Sequence, residues 1–173
     1  MPGGFSSGFS NGFGPLYVTG LIGRLSDVLD VIQSVTAFDV YAVTPDEPPA
    51  TDSCSAAYVW PIRTYDSGLS FSARGDDPTC VVRRTYEIGY RIDVCRKVRG
   101  DGKEPIPSEY LANALTFSDA MDAVWCALAD AKVSGSIAEF CEDMQVGDLV
   151  VNSAQGDRIS ATGTINLTFP CPA

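Results

Sequence analysis

Cysteine is the residue type in this chain with the widest range of possible chemistry. The sequence of 173 residues contains six cysteines and no histidine. The cysteines are Cys54, Cys80, Cys95, Cys126, Cys141 and Cys171. No two of them form a C-x-x-C pair, so their spacing does not indicate a zinc ribbon or a thioredoxin-like site. They occur in stretches where a small apolar residue would fit a strand or a helix, which favours buried and unreactive side chains.

The even number of cysteines leaves two redox states open. The N-terminal residues have neither the basic start nor the apolar segment of a signal peptide. We therefore expect a reducing compartment and free thiols. The alternative is oxidation after release from the cell, in which Cys54 and Cys80 would close the loop between them.

The other polar motifs do not form a catalytic pattern. Without histidine, the chain lacks the commonest general base near neutral pH and cannot build a Ser-His-Asp or Cys-His site. Its glycine-rich segments do not have the spacing of a phosphate-binding loop. Asp101 and Glu104 could approach a cation, but two loop carboxylates fall short of the ligands that calcium needs. We therefore predict that the protein is not an enzyme and has no cofactor and no metal site.

Acidic residues dominate the charge. The chain has 22 acidic and 12 basic residues, which gives a net charge of −10. Nucleic-acid binding needs clustered Lys and Arg, and no such cluster is evident. The acidic excess either serves solubility or provides a surface that DNA passes without binding. The run of about 18 apolar residues that a membrane-spanning helix requires is also absent, so we predict no membrane contact.

The first residues differ in composition from the rest of the chain. Residues 1–15 read MPGGFSSGFSNGFGP, with Gly-Phe pairs that recur every four residues. Gly and Ser make such a segment flexible. Its aromatic residues Phe5, Phe9 and Phe13 either belong to a disordered tail or dock onto a neighbouring subunit and become ordered there. We expect an N-terminal arm over residues 1–15 and a single α+β domain over residues 16–173.

A long alternating strand is the most pronounced local pattern. From Val82 to Val94, even-numbered residues are mainly apolar and odd-numbered residues mainly polar, which predicts one buried and one solvated face. Tyr86, Ile88 and Tyr90 belong to the stripe predicted to be buried. A strand of this length spans about 40 Å, more than a compact core of this size needs. It predicts a projecting hairpin or a sheet that continues into a neighbouring subunit, with Tyr86 and Tyr90 as candidate interface residues.

The remaining periodic segments complete one sheet and its cover. They predict helices over about residues 20–34 and 108–133 and strands over residues 37–43, 56–64 and 159–169. They also predict a loop over residues 65–78, in which residues 69–73 could form a short strand, and a short helix over residues 137–144. We interpret Trp60 and Trp125 as core anchors. The order α-β-β-β-α-β predicts an antiparallel sheet with two long strands, packed by helices on one face.

Several segments together resemble a known family. They are YEIGYRIDVC at residues 86–95, GDG at 100–102, IPS at 106–108, a long helix rich in Ala and Asp, GDL at 147–149, QGD at 155–157 and the closing strand at 161–169. This series, within residues 79–169, is similar to tail terminator and related neck proteins of long-tailed phages, especially phages of actinobacterial hosts. The opening MPGGFSSGF also resembles a phage structural protein.

The resemblance implies a tail-terminator-like fold and a structural role in the virion. Such a protein forms a ring, usually a hexamer, that caps the finished tail tube, stops its polymerisation and joins it to the head. The implied partners are further copies of the chain, the tail tube protein and a head-tail stopper or adaptor protein. DNA would pass through the lumen without specific binding. The implied location is the tail neck of the virion, after assembly in the host cytoplasm.

Three alternatives stay open at the level of sequence. A head-tail stopper, adaptor or other minor tail protein would differ in its partners, although adaptors tend to be helical and this chain has two long predicted strands. A small hydrolase or nucleotide-binding enzyme is disfavoured by the missing histidine and phosphate loop. A monomeric binding module of cellular origin is disfavoured by the Gly-Phe arm and the length of the strand.

Overall fold

Two helices and a six-stranded sheet make up the described part of the chain. A computed structural model describes residues 21–49, 53–72, 79–100, 106–134, 137, 141, 143–152 and 155–171. The elements are α1 (Leu21–Val35), β1 (Val40–Val43), β2 (Ala56–Ser72), β3 (Thr79–Cys95), a 3-10 turn (Pro107–Glu109), α2 (Tyr110–Ser134), β4 (Asp143–Val146), β5 (Val150–Val151) and β6 (Arg158–Cys171). The protein is therefore α+β, as the sequence predicts.

The longest predicted elements form where their periodicity places them. Helices α1 and α2 and strands β3 and β6 begin and end within a few residues of the predicted boundaries. Their apolar stripes meet in one core, because a helix repeats its buried face about every 3.6 residues and a strand every second residue. Even-numbered residues of β3 and odd-numbered residues of β6 supply the sheet side of this core.

Segments with weaker local patterns were predicted wrongly. Strand β2 continues to Ser72, so much of the predicted loop after residue 64 is strand. This extension pairs with β3, from Tyr65 opposite Thr85 to Ser72 opposite Thr79. The segment predicted as a short helix instead leads into β4, in which Met144 is buried. In both places, pairing with a distant strand decides the backbone conformation.

The sheet is mixed rather than antiparallel. Its order is β1-β2-β3-β6-β4, and β5 also pairs with β6. Strand β1 runs parallel to β2, from Val40 opposite Ala56 to Val43 opposite Val59. The other strand pairs are antiparallel. The prediction of an antiparallel sheet is therefore wrong for β1, because residues 44–55 carry the chain back to its starting end before β2 begins.

Both helices pack on the same face of the sheet, as predicted, and we call this the helix-covered face. Its core includes the fully buried residues Val28, Ile32, Val59, Ile88, Tyr90, Ile92, Val124, Leu128, Ile165 and Leu167. Burial of side chains of this size stabilises the fold by about 1.5–3 kcal/mol each. This core holds the helices against the three long strands.

The opposite face carries a second, smaller apolar cluster. Tyr58 and Trp60 of β2 pack there with Ala56, and Val40 and Ala42 of β1 lie against them. The indole ring of Trp60 lies over Gly89 of β3, where an added Cβ would be 2.4 Å from the ring. The glycine therefore allows the aromatic ring to lie flat against the neighbouring strand.

The loop after β1 covers part of this second face, which we call the loop-covered face. Arg91 donates hydrogen bonds to the main-chain oxygens of Pro48 (2.7 Å) and Pro49 (3.2 Å). The same guanidinium lies 5.0 Å from the ring centroid of Tyr58. Arg91 and Asp93 are consequently buried, although the alternation of β3 predicted that their face would be solvated.

Candidate functional site

The predicted interface residues of the arm are Phe5, Phe9 and Phe13. All three lie outside the described residues, so their contact with a neighbouring subunit stays a prediction. The other predicted interface residues, Tyr86 and Tyr90, lie on the helix-covered face of β3. Tyr86 is half-buried and meets the ring of Phe169 edge-on, with 5.8 Å between the ring centroids.

Tyr90 belongs entirely to the subunit core. It has no exposed surface, and a Cβ added at the opposite Gly163 would be 2.5 Å from its ring. Its hydroxyl has no hydrogen-bond partner among the described residues. Burial raises the pKa of Tyr90 from 10.0 to about 12, because the phenolate would lose its hydration. A side chain without exposed surface cannot contact a second subunit, so we exclude Tyr90 from the interface.

The two tryptophans have different environments. Trp60 is buried in the cluster of the loop-covered face, as predicted for a core anchor. Trp125 is 49% exposed on α2, so its interpretation as a core anchor is wrong. The sequence does not separate the two cases, because α2 carries apolar residues on both of its faces.

The outer edge of β2 is the first candidate contact surface. Strand β1 pairs with β2 only as far as Val59, and no described strand pairs with β2 on this side between Trp60 and Ser72. Ile62 is 45% exposed along this edge. Irregularities in the pairing with β3 lie between Pro61 and Arg63 and again beyond Asp66. The edge therefore presents main-chain donors and acceptors that another strand could use.

Ion pairs between β2 and β3 hold this part of the hairpin in register. Arg63 is hydrogen-bonded to Glu87 across the two strands, and Arg84 Nε lies 3.2 Å from Asp66 Oδ1. Cross-strand pairs between largely exposed side chains add only weakly to the stability of a sheet. Together they favour an ordered hairpin that extends beyond the part of β2 paired with β1.

The opposite edge of the sheet is formed by β4 and β5. Both pair with β6, β4 at Ile165–Thr168 and β5 at Ala161–Thr162. No described strand pairs with their outer side. Val150 and Val151 of β5 are both more than half exposed. The sheet thus has two different edges that are open among the described residues.

The outer face of α2 is a third candidate surface. The inner face of this helix buries Phe117, Val124, Leu128 and Ala131. Large apolar side chains nevertheless project away from the buried side as well, namely those of Leu111, Leu115, Trp125 and Val133. These side chains form an apolar strip that the exposed residues Asp119 and Asp122 interrupt. Exposed large apolar side chains on one side of a helix are more typical of an interaction surface than of a solvated helix.

A polar cleft of about 350 Å³ opens on the loop-covered face. At its base the Asp93 carboxylate lies 3.2 Å from Arg91 Nη2 and 3.9 Å from Arg158 Nη1. Burial raises the pKa of Asp93, and the two guanidinium groups oppose this shift. Because Arg91 also holds the Pro48–Pro49 segment, the cluster contributes to the closure of this face.

The cysteines adopt a pairing that the sequence did not predict. Cys54 and Cys95 form a disulfide, so the prediction of free thiols is wrong for these two residues, and so is the alternative pairing of Cys54 with Cys80. The two residues are 4.7 Å apart at Cα because they flank the paired start of β2 and end of β3. Cys126 and Cys141 are free, and Cys126 is exposed on α2. Burial raises the pKa of the Cys141 thiol, which donates to the main-chain oxygen of Asp143 at 3.0 Å.

Metal ligands do not cluster in the part of the chain that the structure describes. Within it, no three His, Cys, Asp or Glu side chains approach closely enough to hold an ion. Asp101 and Glu104, the only pair considered from the sequence, fall outside it.

Comparison with known proteins adds no relative to these observations. No protein-family model and no curated protein matches the chain. Neither of the two described helices has both the length and the apolar character needed to cross a membrane.

Proposed function

We propose that the protein is a structural subunit of a phage neck, in which it forms the tail terminator ring. The resemblance within residues 79–169 supports this role. The two open sheet edges provide a physical route to it. The proposal assigns the chain a non-catalytic role in capping the tail tube and joining it to the head.

The open edge of β2 is the observation that carries the proposal. In a ring, each subunit uses one surface to bind the next subunit and a different surface to bind the previous one. The β2 edge and the β4–β5 edge are two such different surfaces on opposite sides of one sheet. Pairing between them would continue the sheet from subunit to subunit and close a ring if the rotation between subunits is suitable.

The partners follow from this role. One surface of the ring would contact the tail tube protein and the other a head-tail stopper or adaptor protein. DNA would pass through the lumen, and the net charge of −10 would keep phosphate groups from binding. We therefore expect no measurable affinity for double-stranded DNA at physiological salt.

An edge variant tests the proposal. We expect the purified protein to form rings, alone or when mixed with tail tube protein, and Ile62→Lys to prevent ring formation. A lysine on an exposed strand edge blocks pairing with another strand at little cost to the fold. Native mass spectrometry of the protein alone and mixed with tail tube protein measures the outcome.

Ile22→Lys is the matched control, because Ile22 is an exposed isoleucine on α1, away from the edge. It should assemble like the unmodified protein. A protein that stays monomeric even beside tail tube protein would rule out the ring. Rings formed equally well by Ile62→Lys would instead show that another surface joins the subunits.

A further inference from the structure

The apolar strip on the outer face of α2 requires an explanation in the free subunit. Leu111 is 72% exposed, Trp125 49% and Val133 88%. These residues are separated by about four and about two helical turns, so they lie on one side of the helix, with Trp125 nearest to the buried residues. From Leu111 to Val133 the strip is about 33 Å long.

The end of α2 lies beside the start of α1. Arg24, in the first turns of α1, lies with its guanidinium carbon 4.1 Å from the ring centroid of Phe169 in β6. Near the end of α2, Lys132 Nζ lies 4.0 Å from Asp143 Oδ1. Asp143 pairs in register with Thr168, the neighbour of Phe169. Residues 1–20 therefore join the described structure at the end of the sheet where α2 terminates.

The length of the N-terminal arm matches the length of the apolar strip on α2. Phe13 precedes Leu21 by eight residues, which can span about 27 Å when extended. Phe5 and Phe13 are also eight residues apart, so together with Phe9 they can cover about 27 Å of a surface. This distance is comparable with the length of the α2 strip, which begins close to where the arm is attached.

The charge of the arm is also compatible with that of the α2 strip. Residues 1–20 include three phenylalanines and no charged side chain. The outer side of α2 carries the exposed residues Asp119, Asp122 and Asp130 between its apolar residues. A neutral aromatic segment can cover this strip without charge repulsion, whereas a second copy of the acidic helix would bring like charges together.

We propose that Phe5, Phe9 and Phe13 cover the outer face of α2 in the same subunit. Attachment through a short segment gives an effective concentration in the millimolar range, which favours this contact over the same contact between separate subunits. This places the arm on its own subunit rather than on a neighbour, and the inference does not depend on the ring.

Cys126 provides a native probe of this contact, because it is exposed on α2 next to Trp125. The experiment measures the rate of Cys126 alkylation by iodoacetamide, resolved by peptide mass spectrometry at concentrations where native mass spectrometry finds monomer. Deletion of residues 1–14, or the triple change Phe5→Ser, Phe9→Ser and Phe13→Ser, should raise the rate about tenfold if the covered state is populated about ten to one. The half-buried Cys141 serves as the internal reference and should not change.

The matched control replaces polar arm residues and keeps the aromatic rings. Ser6→Ala, Ser10→Ala and Asn11→Ala together should leave the rate at Cys126 unchanged. Equal rates in the unmodified and the triple phenylalanine variant would overturn the proposal. Protection that disappears on dilution would also overturn it, because the cover would then come from another copy of the chain. Matching far-ultraviolet circular dichroism and unfolding temperatures show that the variants remain folded.

Discussion

Both faces of the sheet bury an aromatic ring against a glycine, but different parts of the chain cover the two faces. On the helix-covered face, Tyr90 lies over Gly163 of the neighbouring strand, and on the loop-covered face Trp60 lies over Gly89. In each case a glycine makes room for an aromatic ring on the adjacent strand. Two helices seal Tyr90, whereas the aromatic cluster around Trp60 is bordered by Arg91 and the segment it holds at Pro48.

This difference shows how a sheet can bury both faces with only one layer of helices. The helix-covered face relies on aliphatic side chains, whose burial is not directional. The loop-covered face relies on specific polar contacts, in which the guanidinium of Arg91 joins the ring of Tyr58 to main-chain oxygens of the loop. Such contacts depend on each partner being present.

Removal of the disulfide, which borders the loop-covered face, should have the largest effect on the free energy of unfolding. Cys95 follows Asp93 by two residues on β3, so it lies on the loop-covered face. Changing both Cys54 and Cys95 to Ser should lower the free energy of unfolding by about 4 kcal/mol, given a sequence separation of 41 residues. Urea unfolding under non-reducing conditions measures the effect.

Cys126→Ser is the control for this variant, since Cys126 is free and exposed. It should change the free energy of unfolding by less than about 0.5 kcal/mol. If the double serine variant unfolds at the same urea concentration as the unmodified protein, the disulfide does not support the loop-covered face.

The two glycines give a direct comparison of how rigid the faces are. Gly163→Ala should lower the free energy of unfolding by about 3 kcal/mol, because the sealed ring of Tyr90 cannot move away from the new methyl group. Gly89→Ala should cost only about 1 kcal/mol, because Trp60 belongs to the smaller cluster, in which its neighbours from β1 are only partly buried. The urea midpoints of the two variants provide the measurement. A larger cost for Gly89→Ala would reverse the proposed order of rigidity.

The smallest expected effect is at the hydroxyl group of Tyr90. Because this buried group has no hydrogen-bond partner among the described residues, Tyr90→Phe should raise the free energy of unfolding by about 1 kcal/mol. The raised pKa also predicts a pH dependence. The contribution of the protonated phenol is complete below its unfolded pKa of 10.0 and is lost as the pH rises through about 12.

Unfolding measured as a function of alkaline pH checks this second part. The free energy of unfolding of the unmodified protein should fall as the pH rises from 10.0 through about 12. Tyr90→Phe should not show this fall, whereas the exposed control Tyr65→Phe should still show it. Identical alkaline profiles for Tyr90→Phe and the unmodified protein would contradict the assignment of the raised pKa to Tyr90.

Some of the candidate surfaces could be inferred from sequence and some could not. The alternation of β3 correctly indicated one long strand, but β2 and β6 pair with it on both sides over most of its length. The role of Tyr90 was ambiguous, because a buried aromatic and an interface aromatic occupy the same positions in an alternating strand. Trp125 was misplaced because helix α2 is apolar on two sides, and periodicity alone does not tell which side meets the sheet.

The sequence by itself determined α1, α2, β3 and β6, because amphipathic periodicity is a property of neighbouring residues. Only the tertiary structure decided that β1 runs parallel to β2, that Cys54 meets Cys95, and that Arg91 and Asp93 are buried. Each of these features depends on segments far apart in the chain coming together. The extension of β2 to Ser72 has the same origin, since its backbone groups find their partners in β3 and not within their own segment.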